Sequence, residues 1–363
     1  SAYCRLAYPK NIFIKQVKIM TLTTSKKLQV IKSTWNLETT GIVPYTIEIG
    51  NPHVATNEFF GDDAAELAWH EAYHDQRHEV IDFDMPNIKP NLGIGTIAAA
   101  FGCQLRVNNE GDPWTDTLIN AKCHEKVYDL NPPDPEGNPI FNRVRERLGY
   151  LQKHGSMPLR LVNVASPMLT ASMIWDYTDF MMSLLTSPKE VHHLLDIITQ
   201  ATIDYVNLQL DAITDLHSMG HEVLCVPREV GLRVSDDTAA LLSPDLYREF
   251  GVTYNAKLAD AFGGIVVHSC GDCSRVVSAM LETPGLKGLD LTMPQNTDWS
   301  TLESAAGEVV LSLRHYFWDH GEQFVDPVEY TRRLIDSFGT TGIFIVTSMP
   351  DARQARDLGK KLW

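Results

Sequence analysis

Short apolar, β-branched runs recur along this chain with helical patterning between nearly every pair, and that rhythm limits the folds open to it. Runs centred near residues 44, 162, 224, 266, 289, 311 and 344 read as strands, and a less regular one precedes residue 100. Helical periodicity fills 24–36, 62–80, 139–153, 170–185, 188–218, 274–282, 299–306 and 327–338, and a further helix opens at Ser243-Pro244-Asp245. Ser187-Pro188 starts another in the same way, a capping hydroxyl followed by a residue with no N–H to satisfy. Strands this short and apolar, alternating with helices, belong to a parallel sheet covered on both faces. About eight of them make a (β/α)8 TIM barrel, whose functional groups gather at the C-terminal strand ends. The expected layout is an N-terminal helical extension over 1–40 and a single barrel over 41–363. Long mouth loops come from the Pro-, Gly- and Asn-rich stretch 82–137. The runner-up is an open doubly wound sheet. Met20 is the expected initiator, which would set residues 1–19 outside the native chain.

Charge and cysteine usage narrow the setting. A net charge of −15 opposes a phosphate-binding groove and an anionic membrane surface, so neither nucleic acid nor membrane is an expected partner. No run approaches the roughly 20 apolar residues of a membrane span. Six scattered cysteines do not form a disulfide framework, which points to a reducing, cytoplasmic setting.

The stretch Gly263-Gly-Ile-Val-Val-His268-Ser-Cys270-Gly-Asp-Cys273 carries the chemistry. Alternation along a strand puts His268 and Cys270 on one side of its C-terminal end, half of a tetrahedral zinc site. The competing structural reading is a buried thiol beside a hydrogen-bonded imidazole.

Asn163-Val-Ala-Ser-Pro-Met-Leu-Thr-Ala-Ser-Met173, Val206-Asn-Leu-Gln209, Ser235-Asp-Asp-Thr, Leu242-Ser-Pro-Asp-Leu-Tyr-Arg-Glu-Phe250 and His268-Ser-Cys-Gly-Asp272 occur in that order. Together they resemble the uroporphyrinogen decarboxylase-like superfamily, and within it the zinc methyltransferases that work with corrinoid proteins. The resemblance spans roughly residues 25–350. It implies a (β/α)8 barrel, His268 and Cys270 as zinc ligands, a corrinoid carried by a partner protein, and pairing into a homodimer. Two departures stand out. The decarboxylases' Arg-Gln-Ala-Gly-Arg turn, which grips substrate carboxylates, is replaced by Glu48-Ile-Gly-Asn-Pro-His53. That acidic turn would repel a porphyrinogen. The third cysteine ligand of the coenzyme M methyltransferases is absent, since Val346-Thr-Ser-Met-Pro350 holds no thiol.

Catalytic zinc takes three protein ligands and leaves one position open. Besides His268 and Cys270 the candidates, in order, are Glu229, Cys273, His315 and Glu48. Glu229 and His315 each sit just past an expected strand. Asp236, Asp237 and Glu48 are the expected catalytic carboxylates, and Asn51, His53, Asp84 and Tyr316 the expected substrate contacts. Asp236, Asp237, Asp82 and Asp84 also fit as helix caps and loop solvation. The substrate would be a small O- or N-methylated compound, or a thiol acceptor. A metal-free decarboxylase-like lyase and a non-catalytic binding barrel are the alternatives.

Three motifs compete. His70-Glu71-Ala-Tyr-His74 has metalloprotease spacing, but its helix looks polar nearly all round and no third histidine follows at the expected interval. Gly93-Ile-Gly95 imitates a dinucleotide turn, yet Pro86 and Pro90 stand where its strand should be. Cys270-Gly-Asp-Cys273 has redox spacing without a thioredoxin-like frame.

Overall fold

The computed structural model describes residues 22–50, 61–106, 113–120, 122–292, 297–316 and 325–362. Its strands in chain order are β1 (Tyr45–Ile49), β2 (Leu105–Arg106), β3 (Trp114–Thr115), β4 (Leu159–Arg160) and β5 (Leu216–Ser218). They continue with β6 (Leu232–Ser235), β7 (Ile265–Cys270), β8 (Leu286–Thr292), β9 (Val310–His315) and β10 (Ile343–Met349). Six form one curled parallel sheet in the order β1-β10-β9-β8-β7-β6. A parallel β4–β5 pair stands apart from it, and single parallel bridges join Ile88 to Leu159 and Ala165 to Ser235. In the loop-rich stretch, β2 and β3 pair antiparallel.

The helices follow local sequence chemistry. Asp62 caps Asp63–Gln76 by accepting from the N–H groups of Ala64 and Ala65, and Asn138 caps Pro139–His154 in the same manner with proline at the first position. Pro188–Ala212 packs against Pro139–His154 and Pro167–Ile174, and its inner face places Leu194, Leu195, Ile198 and Tyr205 in the main core. The first helix, Thr24–Trp35, is capped by Thr23, one residue earlier than its Thr-Ser start suggests.

Two departures from the expected pattern decide where side chains end up. The helix expected over 188–218 stops at Ala212, and 216–218 become β5. The apolar run 222–226 is not a strand. It is pinned inside the sheet by Arg160, which donates to the carbonyls of Glu222, Val223 and Leu224, and by the Trp35 indole, which donates to Cys225 O at 2.9 Å. The strand is instead β6, where Arg233 interrupts the apolar signal. Backbone approach there is close. A Cβ on Gly231 (φ +115°) would fall 2.1 Å from Gly264 O, so only glycine lets β6 start beside β7.

The register of the large sheet builds a polar row on its inner face. Cys270 pairs with Thr292, Thr292 with Arg314, Arg314 with Val346 and Val346 with Thr46. One pair toward the N-terminal ends, Ser235 aligns with His268, His268 with Asp290 and Asp290 with Ser312. Glu48 on β1 aligns with Ser348.

Candidate metal centre

His268 and Cys270 lie on the same side of β7, with Sγ 3.4 Å from Nε2. Gly271, at φ +89°, turns the chain sharply after Cys270. The third group comes from the turn after β6: Asp237 Oδ1 lies 3.9 Å from His268 Nε2 and accepts the Cys270 N–H at 2.9 Å. Ligand atoms of Asp237, His268 and Cys270 lie within 4.8 Å of one another, the one such group that the described residues bring together.

Behind the imidazole stands Asp290, fully buried, with Oδ2 3.3 Å from His268 Nδ1. Its carboxylate accepts from Arg314 Nε (2.7 Å) and Nη2 (2.5 Å), Arg233 Nε (2.9 Å) and Ser312 Oγ (2.8 Å). Burial alone would raise the Asp290 carboxyl, but Arg314 and then Arg233 outweigh it and hold it well below the usual range. Burial of the Cys270 sulfur away from water comes first and the Asp237 carboxylate second in pushing the thiol upward. Cys270 as a residue stays exposed to solvent.

An imidazole nitrogen, a thiol and a carboxylate converging at a strand end match the donor types of a three-ligand zinc site, and a carboxylate behind the imidazole is its usual companion. His268, Cys270 and Asp237 therefore fit the ion.

The remaining expected residues divide. Asp236 is fully buried beneath the trio. It accepts from Thr238 Oγ1 at 2.7 Å and Asn255 Nδ2 at 3.3 Å, and burial raises its carboxyl, so it anchors the turn from which Asp237 projects. Glu229 is not with the trio. Because 222–226 is no strand, Glu229 precedes β6 instead of ending one, beside Val230 and Gly231 at the opposite end of the sheet, and pairs with Lys32 at 2.6 Å in solvent. His315 ends β9 facing the other way. Strand alternation turns it outward, stacked on Tyr330 of helix Pro327–Phe338 with centroids 4.1 Å apart and Nε2 2.9 Å from Val325 O. Cys273 lies past the turn with its thiol buried and pushed up to about 11, chiefly by that burial.

Glu48 and Asp84 line a separate polar cavity with His70, His74, Lys89 and Arg160. Glu48 Oε1 lies 3.5 Å from Lys89 Nζ and has no hydrogen bond. Burial opposes the charge on Asp84, but Arg77 overrides it and holds the carboxyl at about 2. Tyr316 is buried, its hydroxyl accepting from Arg314 Nη1 at 2.8 Å. Asn51 and His53 lie outside the described residues.

The helix bearing His70 and His74 is not polar all round: Glu66, Leu67, His70 and Tyr73 are buried. His70 Nε2 lies 3.2 Å from Lys89 O and His74 Nε2 2.7 Å from Asn87 O, so both rings are engaged by backbone, and Glu71 faces solvent. The sequence reading missed Asp290, Arg233 and Arg314 altogether. Isolated charges in otherwise apolar strand runs, Arg233 in Leu-Arg-Val-Ser and Asp290 in Gly-Leu-Asp-Leu, were the available signal.

The sequence profile of the family Uroporphyrinogen decarboxylase (URO-D) matches residues 74–311, about two thirds of the chain. The chain belongs to that family. It is 27% identical over 172 residues to uroporphyrinogen decarboxylase of Xanthomonas campestris pv. campestris, and 27% identical over 175 residues to that of Vibrio vulnificus. Each match covers 46% of this chain and 44% of the relative, so the chain spans under half the length of the curated relatives it matches. In three dimensions it is similar to a methyltransferase from Methanosarcina mazei, with a TM-score of 0.68 at 16% identity over 94% of this chain and 99% of that one. At that identity the likeness is one of fold.

Proposed function

We propose that this chain is a zinc-dependent methyltransferase on a (β/α)8 barrel. It would move a methyl group between a small O- or N-methylated compound, or a thiol acceptor, and a corrinoid carried by a partner protein. The observation that carries this reading is the convergence of Asp237, His268 and Cys270 at the rim. The methyltransferase likeness of the fold agrees with it. Zinc, when bound, supplies a Lewis acid that stabilises a leaving oxygen, nitrogen or sulfur.

The protein's own groups do the rest. His268 presents Nε2, Cys270 its thiol, and Asp237 holds the Cys270 backbone at 2.9 Å while offering its carboxylate. With the Asp237 carboxylate, and without the third thiol of the coenzyme M methyltransferases, the donor set is harder, which favours oxygen- and nitrogen-bound methyl donors. The alternative, a metal-free lyase, draws on the decarboxylases among the relatives. Against it, the first strand carries buried Glu48 next to its end, and no arginine pair follows in Glu48-Ile-Gly-Asn-Pro-His53.

Metal analysis of protein purified without chelator tests the reading: close to one zinc per chain in wild type, and under about a tenth of that in His268→Ala and Cys270→Ala. Transfer of methyl from methoxy or methylamine compounds to cob(I)alamin should follow the metal. Full decarboxylase turnover by metal-free protein would overturn it.

A further inference from the structure

His268 lies between two carboxylates, and which ring nitrogen carries its proton decides whether it can serve as a ligand. On one side Asp237 Oδ1 stands 3.9 Å from Nε2, at the solvent edge. On the other, Asp290 Oδ2 stands 3.3 Å from Nδ1, fully buried. We propose that Asp290, clamped by Arg233 and Arg314, is the positioning residue that fixes His268 as the Nδ1–H tautomer and so turns the Nε2 lone pair toward Cys270 and Asp237. The inference builds on the metal reading above, but its primary test needs no metal.

Three features carry it. Nδ1 is buried and makes no hydrogen bond in this geometry, and a buried N–H without an acceptor is costly, so the Asp290 carboxylate at 3.3 Å is the acceptor toward which its proton turns. Asp290 cannot swing away. Its oxygens are tied to β6 through Arg233, to β9 through Arg314 and Ser312, and to β8 through its own backbone. The clamp is itself held. Arg314 Nη1 reaches the Tyr316 hydroxyl at 2.8 Å and Glu222 Oε2 at 3.5 Å, and Arg233 Nη1 reaches Ser235 Oγ at 3.2 Å. Asp237 offers nothing comparable, being farther away, half exposed and already accepting the Cys270 N–H.

Long-range proton–nitrogen correlation spectra of 15N-labelled, metal-free protein at about pH 8, where an ordinary imidazole is neutral, read the tautomer directly. The expected result is a protonated Nδ1 and a pyridine-type Nε2 for His268, against the Nε2–H form that free imidazole side chains prefer. A protonated Nε2 would overturn the proposal. In the second measurement, Asp290→Asn lowers zinc affinity by about 10–100-fold in a competition assay with a chromogenic chelator, with circular dichroism confirming the fold. Unchanged affinity in a folded variant would equally count against it. Should that variant fail to fold, since it leaves two buried guanidinium groups short of a carboxylate, the wild-type tautomer decides alone. Failure of wild type to bind zinc would sink the methyltransferase reading and leave the tautomer result standing.

Discussion

Glu66 is the side chain whose protonation the fold most visibly controls. It is completely buried on the helix Asp63–Gln76, with Oε1 accepting the Asn91 N–H at 2.7 Å and Oε2 3.2 Å from Arg147 Nη1. Burial raises its carboxyl, Arg147 and the Asn91 N–H only partly offset this, and the outcome is a rise from 4.5 to about 7. The folded state therefore holds this proton more tightly than the unfolded chain does. Stability contributed by the protonated carboxyl is present below 4.5 and is lost as pH rises through about 7. Its neighbour Asp63 shifts the other way. Burial opposes its charge, but Arg143 and Arg147 prevail and lower it from 3.8, so its effect is confined to more acid solution. Glu66→Gln should flatten the pH dependence of unfolding between 4.5 and about 7, removing a slope worth about 3 kcal/mol across that window. Urea unfolding of both proteins at several pH values checks this, and parallel curves would show that Glu66 stays ionised throughout.

At the scale of elements, the decisive contact is β6 against β7, where Gly231 and Gly264 bring two backbones together. Gly231→Ala must push β6 away from β7 or force φ +115° on a residue with a Cβ, and should cost more than about 3 kcal/mol. A melting temperature within a degree or so of wild type would show that the strands yield easily. The same strand explains how far the sequence could be read. β7, β8, β9 and β10 were legible because each keeps enough apolar positions between glycine or turn signals to outweigh a single charge such as Asp290 or Arg314, and His268 and Cys270 came with β7. β6 was not, because Arg233 is buried by its pairing with Asp290 across 57 residues of sequence, an interaction no local pattern records. Losing β6 shifted the strand assignment to 222–226 and carried Glu229 to the wrong end of the sheet. It also hid the reason Asp237 lies with His268 and Cys270, since the turn after β6 delivers it. His315 failed differently: the strand was right, but its last residue has the opposite parity to Arg314.

Over the whole molecule, the metal trio and the apolar core are separate. Asp237, His268 and Cys270 sit at the rim on β7 and on the turn after β6, whereas the core runs from Ile31 and Trp35 through the inner faces of Pro139–His154 and Pro188–Ala212 to Leu358. A bound ion would link two neighbouring segments that Gly231 and the β6–β7 ladder already hold together. Zinc should therefore add to stability without creating the fold, unlike a small zinc domain that unfolds when stripped. Protein treated with chelator should keep its far-ultraviolet dichroism and melt cooperatively. Zinc at about 100 times its dissociation constant should add about 2.7 kcal/mol, a rise of several degrees. Cys270→Ser should melt close to stripped wild type and gain nothing from zinc, because its exposed side chain lies outside the apolar core. His268→Ala, though it removes a buried ring, should likewise gain nothing from zinc. Asp237→Asn should retain part of the rise, since an amide oxygen is a weaker ligand than a carboxylate and the exposed position tolerates the change. Collapse of the stripped wild type would mean that the ion organises the sheet itself, and the strand pairing described above would then be a consequence of metal binding.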